Sequence, residues 1–166
     1  MRLFFAILLS PQMEEALFEG IQQIRQQTGR GSFSRRENLH LTLAFLGETE
    51  AISAAVDAMN AIDCHPFVME LQGSGRFGET VWAGIKPCDE LNRLAEELQS
   101  QLRRNGFRLE KRPFRPHITL ARRIDPEAAL HIRLSPCSMQ TNHIALMCSE
   151  RIAGRLTYTE IAGRNF

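Results

Sequence analysis

His40-Leu41-Thr42-Leu43-Ala44 and His117-Ile118-Thr119-Leu120-Ala121 are two copies of one pentapeptide, set 77 residues apart in a chain of 166. Each is short, apolar and alternating, the pattern of a β-strand whose residues i and i+2 share a face. Each copy therefore presents a histidine beside a threonine and sends Leu41 or Ile118 toward a core. Two imidazoles and two hydroxyls on matching strands make a candidate acid–base site. The rest of the chain reads as the scaffold that brings them together.

The same order of elements precedes each copy. In the first half, Arg2–Leu9 reads as a strand and Ser10 as an N-cap, with Pro11 at the first helical position. Met13, Ala16, Leu17, Ile21 and Ile24 form the apolar stripe of a helix ending at Thr28-Gly29, and a loop with Arg35 and Arg36 leads to His40. In the second half, Val81–Ile85 reads as a strand. Leu91, Leu94, Ala95, Leu98 and Leu102 mark a helix from about Asp89, closed by Asn105-Gly106, and the basic loop Lys111–Pro116 leads to His117. The helix starts are offset by the same interval as the histidines, which implies an internal duplication of a strand–helix–strand module. Modules related by a pseudo-two-fold turn equivalent faces toward each other, so the two His-x-Thr faces are expected to converge across a cleft.

Between the halves, Ile52 to Ile62 carries a helical pattern that stops before Pro66. Phe67–Leu71 reads as a strand joined to Val81–Ile85 by a Gly-rich turn running from Gly73 to Gly78. The Gly-x-Gly in that turn is no nucleotide fingerprint, because a strand follows it. From Asp125 a polar connection containing Pro126 and Pro136 leads to a strand at Ile144–Cys148, a turn at Ala153-Gly154 and a return strand at Leu156–Ile161.

Hydrophobic residues make up 43% and charged residues 23%, as in an ordinary globular protein, and the length suits one domain, residues 1–166, made of two lobes. A net charge of +1 excludes a global basic field that gathers long nucleic acid, so any anion must be held by a local cluster. Cys64, Cys88, Cys137 and Cys148 include no close pair, which argues against a zinc knuckle or a disulfide framework; reduced thiols in a cytoplasmic monomer are expected. The apolar run Leu3–Leu9 is too short to span a bilayer and lacks a signal-peptide cleavage site, so it is assigned to a buried strand and no membrane partner is expected.

A histidine pair holds one neutral base and one protonated acid near neutral pH, which suits in-line displacement at phosphorus. Threonine hydroxyls donate to the non-bridging oxygens and arginines offset the developing charge, so no metal and no cofactor is expected. Lys111, Arg112, Arg115, Arg122 and Arg123 lie within 13 residues around the second motif, an anion-binding cluster. Strict alternation points Arg122 away from His117 unless the strand ends or twists near Ala121. His65, His131 and His143 recur in no repeated context and are assigned to surface or packing. Phe45 sits in an apolar run, which reads as core packing.

The residues also resemble a known family, the 2H phosphoesterases, and within it the bacterial RNA 2′,3′-cyclic phosphodiesterases, also called 2′-5′ RNA ligases. The matching stretches are Arg2–Ile7, Glu37–Gly47, Val81–Gly84 and Arg112–Arg122, with Ser149, Gly154 and Tyr158 near the C-terminus. The resemblance implies a bilobal α+β fold with antiparallel sheets lining a cleft and helices outside. It implies hydrolysis of an RNA 2′,3′-cyclic phosphate end to a 2′-phosphate, with His40 as proton donor, His117 as proton acceptor, and Thr42 and Thr119 holding the phosphate. Arg122 matches a phosphate-binding arginine of the family, against the alternation argument. Competing readings are a phosphodiesterase for small cyclic phosphates and a non-catalytic protein that captures phosphorylated RNA ends.

Overall fold

A computed structural model describes residues 1–166. The first half contains strand β1 (Arg2–Leu8), helix α1 (Pro11–Thr28), a short strand β2 (Ser32–Phe33), strand β3 (His40–Glu48) and helix α2 (Ile52–Asn60). The second contains β4 (Phe67–Phe77), β5 (Thr80–Ile85), α3 (Asp89–Arg104) and β6 (His117–Arg122), followed by β7 (Ser138–Thr141), β8 (His143–Ile152) and β9 (Arg155–Asn165). No helix is long and apolar enough to cross a membrane.

The strands form two antiparallel sheets, β3-β1-β8-β9 and β2-β6-β5-β4-β7. The expected α+β architecture is therefore present, and the duplication is visible in it: β3-β1-β8 repeats as β6-β5-β4. The third strand of the first sheet comes from the C-terminal end of the chain, whereas β4 immediately precedes its neighbour β5.

Local sequence explains the elements. Ser10 Oγ accepts from Met13 N at 3.2 Å, and Pro11 opens α1 where its missing N–H costs nothing. In α3, Asp89 and Glu90 sit in the first turn and Arg103 and Arg104 in the last, each sign matching the helix dipole. Leu3, Phe5 and Ile7 of β1 join the main core, while Phe4 and Ala6 pack with Ala145, Met147 and Tyr158 on the other face. Burial on both faces is why β1 reads as an unbroken apolar run.

The helices do not stay with their own modules. α1 packs against β6 of the second sheet, and α3 packs against β3 of the first. β2, which follows α1, also pairs with β6, through Ser32–Arg122 and Phe33–Ala121. One apolar cluster of 34 buried residues consequently runs through both lobes.

Several expectations need correction. The Gly-rich stretch is not a turn: β4 continues through Gly73, Ser74 and Gly75 to Phe77, with a bulge between Leu71 and Ser74, and the chain reverses at Gly78-Glu79. Gly75 stands opposite Trp82, and a Cβ there would lie 2.4 Å from the indole ring, so the glycine makes room for that ring. Helix α2 ends at Asn60, short of Ile62, although Ile62 is buried. β8 and β9 extend to Ile152 and Asn165, well beyond the apolar segments that mark them, and β2 and β7 carry no local signal strong enough to announce them. The N-terminal strand and helices α1 and α3 lie where their patterns place them, and all four cysteines are unpaired.

Gly84, paired with His117, sits where β5 presses on the bulge of β4: an added Cβ would lie 2.5 Å from the Gln72 carbonyl oxygen. Gly84→Ala is expected to lower stability by about 1–3 kcal/mol, the range for overpacking against backbone, measured by urea unfolding.

Candidate functional site

Both motif strands are bulged at the same place. Ala6 pairs with Thr42 and Phe5 with Ala44, leaving Leu43 as an extra residue. Trp82 pairs with Thr119 and Val81 with Ala121, leaving Leu120 extra. A bulge opposes two residues to one and disturbs strict alternation. Leu43 with Ala44, and Leu120 with Ala121, are accordingly consecutive and buried. The carbonyls of the two extra residues accept from outside β1 and β5: Gln99 Nε2 of α3 donates to Leu43 O at 3.0 Å, and Ser34 N donates to Leu120 O at 2.9 Å. Ser34 Oγ further donates to Thr119 O at 2.8 Å.

The bulge resets the parity of the residues after it. Arg122 returns to the face of His117 and Thr119, and a cavity of about 240 Å³ is lined by His40, Thr42, His117, Thr119 and Arg122 together. Alternation therefore misplaces Arg122, because it counts Leu120 and Ala121 as opposite faces. Phe45 stands at the equivalent position of the first motif; it is 47% exposed and Arg2 lies over its ring at 5.0 Å, so it is not a core residue.

A larger cavity of about 670 Å³ continues the cleft, with Thr42, Phe45, Phe77, His117, Thr119 and Arg122 on its walls. Arg112 and Arg115 of the basic loop also line it, Arg112 paired with Glu110 at 3.1 Å, whereas Lys111 and Arg123 line neither cavity.

Each imidazole is held from behind by the main-chain carbonyl of the residue two places before it. His40 Nδ1 lies 2.7 Å from Asn38 O, and His117 Nδ1 lies 2.7 Å from Arg115 O. A carbonyl only accepts, so each Nδ1 carries hydrogen and each neutral ring keeps its lone pair on Nε2. The two differ beyond that point. His40 Nε2 lies 3.0 Å from Thr42 Oγ1, whose hydroxyl donates to it while the ring is neutral. His117 has no corresponding bond to Thr119.

Aromatic rings fix both imidazoles laterally: Phe4 and Tyr158 stand 4.9 and 5.1 Å from His40, and Phe77 and Trp82 stand 5.1 and 6.3 Å from His117. Burial holds the His40 imidazole below the ordinary histidine value, an effect opposed by the Asn38 carbonyl and reinforced by the positive charge of Arg122 and by His117.

Sequence reasoning missed Asn38, Phe4, Phe77, Trp82, Tyr158, Ser34 and Gln99. Phe4 and Trp82 were findable in principle, because each lies on a strand neighbouring a motif strand, and Asn38 lies two residues before His40; the others depend on long-range contacts. His65 is exposed beside Asp63, and His143 bridges Asn165 and Glu160 at 2.7 Å each, away from the cleft.

Comparison with known proteins agrees with this architecture. The family described as 2′-5′ RNA ligase superfamily matches residues 13–151. An RNA 2′,3′-cyclic phosphodiesterase of Escherichia coli K12 is 34% identical, covering 96% of this chain and 93% of the relative. A protein of the same description from Archaeoglobus fulgidus is 32% identical over 80% of each chain. Among solved structures, a Thermus thermophilus protein superposes with a TM-score of 0.88 at 29% identity, covering 99% of this chain and 97% of that one. E. coli LigT complexed with 3′-AMP gives 0.87 at 32% identity, over 99% and 97%.

The depressed proton affinity of His40 has a consequence for stability. Between its folded value and the ordinary 6.5, the unfolded chain binds the extra proton, so stability rises with pH through that window and is lost as pH falls through it. The stability difference between wild type and His40→Asn, measured by urea unfolding from roughly pH 8 to pH 5, should shrink toward the acid end.

Proposed function

The chain belongs to the 2′-5′ RNA ligase superfamily, and on that basis we propose that it hydrolyses RNA 2′,3′-cyclic phosphate ends to 2′-phosphomonoesters by two-histidine acid–base catalysis. The observation that carries the reading is the pair of imidazoles in one cleft, each with Nδ1 tied back to a carbonyl so that Nε2 does the chemistry. In this reading Thr42, Thr119 and Arg122 hold the non-bridging oxygens of the phosphate, and no metal takes part.

His117 Nε2 takes a proton from water, whose oxygen attacks phosphorus in line with O3′. The P–O3′ bond breaks, and His40 delivers its proton to O3′. The products are a free 3′-hydroxyl and a phosphate on O2′. A 5′-hydroxyl in place of water would give a 2′-5′ link by the same displacement, which relates hydrolysis to ligation. The asymmetry between the rings supports the roles: His117 keeps its lone pair toward the cleft, and His40 shares its Nε2 with Thr42. Free of substrate, His40 is held neutral by burial and by Arg122. A phosphate anion between the threonines offsets Arg122, so the proton arrives with the substrate and frees the Thr42 hydroxyl to turn to phosphate.

The test is incubation with an oligoribonucleotide carrying a 2′,3′-cyclic end, followed by identification of the product. A 2′-phosphate is expected; binding without turnover overturns the assignment. His40→Ala and His117→Ala should each lose about 10²-fold or more in kcat, and a chelator should leave the rate unchanged. With His40 as acid, kcat/KM falls with rising pH through a pKa below the ordinary histidine value, because the free enzyme must first be protonated. A rise in kcat/KM through that same pKa would make His40 the base.

A further inference from the structure

The phosphate centre opens on a third side that the proposed reaction does not use. Beyond Thr42 and Arg122, a groove of about 430 Å³ runs between β1 and the β8–β9 hairpin. Arg2, Phe45, Ser149, Arg151, Leu156 and Tyr158 form its walls. It meets the 670 Å³ cavity at Thr42, Phe45 and Arg122, so the Phe45 ring divides two chambers that share one phosphate position.

This groove carries two guanidiniums that make no ion pair. Arg35 and Arg36, near the 240 Å³ cavity, are neutralised by Glu37 and by Glu14 and Glu15. In the large cavity Arg112 is paired with Glu110, and Arg115 makes no ion pair. Arg2 and Arg151 engage no carboxylate: Arg2 rests on the Phe45 ring, and Arg151 Nη1 donates only to Gly154 O at 3.4 Å. Glu150, the one acid on the wall, pairs with neither. Two uncompensated guanidiniums beside the phosphate centre, in a protein of net charge +1, mark a second anion position.

A mononucleoside 2′,3′-cyclic phosphate carries a single anionic group, which the threonines and Arg122 already accommodate. A cyclic-ended RNA continues only in the 5′ direction, and the next charge along it is an internal phosphodiester. Building on the proposed phosphodiesterase reading, we infer that the Arg2–Arg151 groove binds the phosphodiester 5′ to the cyclic end, making an RNA chain, and not a mononucleotide, the preferred substrate. Ser149 and Tyr158 supply hydroxyls along the same wall, and Leu156, 36% exposed, offers apolar contact to a nucleoside.

The test compares adenosine 2′,3′-cyclic phosphate with the dinucleotide ApA carrying the same end, using wild type, Arg2→Ala, Arg151→Ala and Arg151→Glu. Wild type should prefer the dinucleotide in kcat/KM. Each alanine variant should lose about tenfold more on the dinucleotide than on the mononucleotide, the worth of one charge-assisted contact, with the difference in KM. The log–log salt slope for the dinucleotide should also become shallower by about 0.7 for each cation removed. Equal losses on both substrates, or none, overturn the groove assignment. If wild type turns over neither substrate, the phosphodiesterase reading falls, and equilibrium binding of the two 2′-phosphate products decides the groove alone: a dinucleotide preference that the variants abolish supports it, and equal affinity overturns it. Unchanged thermal unfolding of Arg151→Ala keeps the comparison free of folding effects.

Discussion

Two bulges, at Leu43 and Leu120, decide how this site is built. Each inserts an extra residue that pairs with none on the neighbouring strand. A buried carbonyl without a partner costs about 1–3 kcal/mol, so the bulges persist only because Gln99 and Ser34 meet them. With the bulges in place, Arg122 and Phe45 return to the catalytic face. Without them, the first would leave the cleft and the second would enter the core. The position of the cleft's central cation therefore depends on the bulge at Leu120 rather than on anything Arg122 itself does.

The two half-sites have the same frame and different furniture. Both rings are tied at Nδ1 and flanked by aromatics, but Phe45 stands where the other half places Arg122. A perfect two-fold would bind a phosphodiester equally well in either of two orientations. Replacing one arm by a ring and the other by a cation removes that degeneracy, and burial, with Arg122 adding to it, lowers the proton affinity of His40.

Much of this was legible in the chain itself. The His-x-Thr copies, the apolar stripes of α1 and α3 and the Ser10-Pro11 helix start are local signals, and local periodicity survives folding. The parity of Arg122 was not legible, because a bulge is stabilised by residues distant in sequence: Ser34 is 86 residues from Leu120, and Gln99 is 56 from Leu43. The stretch from Gly73 to Gly78 misled for a related reason. Gly78 does mark the turn, but Gly75 is, here, the cross-strand clearance for Trp82. β2 and β7 are too short to carry a period at all, and they exist because a neighbouring strand offers them hydrogen bonds.

The exchange of helices between the lobes bears on how the protein can move. Clefts between lobes commonly close by a hinge, in which a few residues bend while each lobe moves as a body. Here α1 is covalently part of the first module yet packed on the second sheet, and α3 is the reverse. Opening the lobes like jaws would lift both helices off their strands and expose the shared apolar core. Sliding the lobes would carry Gln99 away from the Leu43 carbonyl. The spacing between the two imidazoles is thereby braced from outside, and the cleft is built as a gauge of fixed width rather than as a pair of jaws.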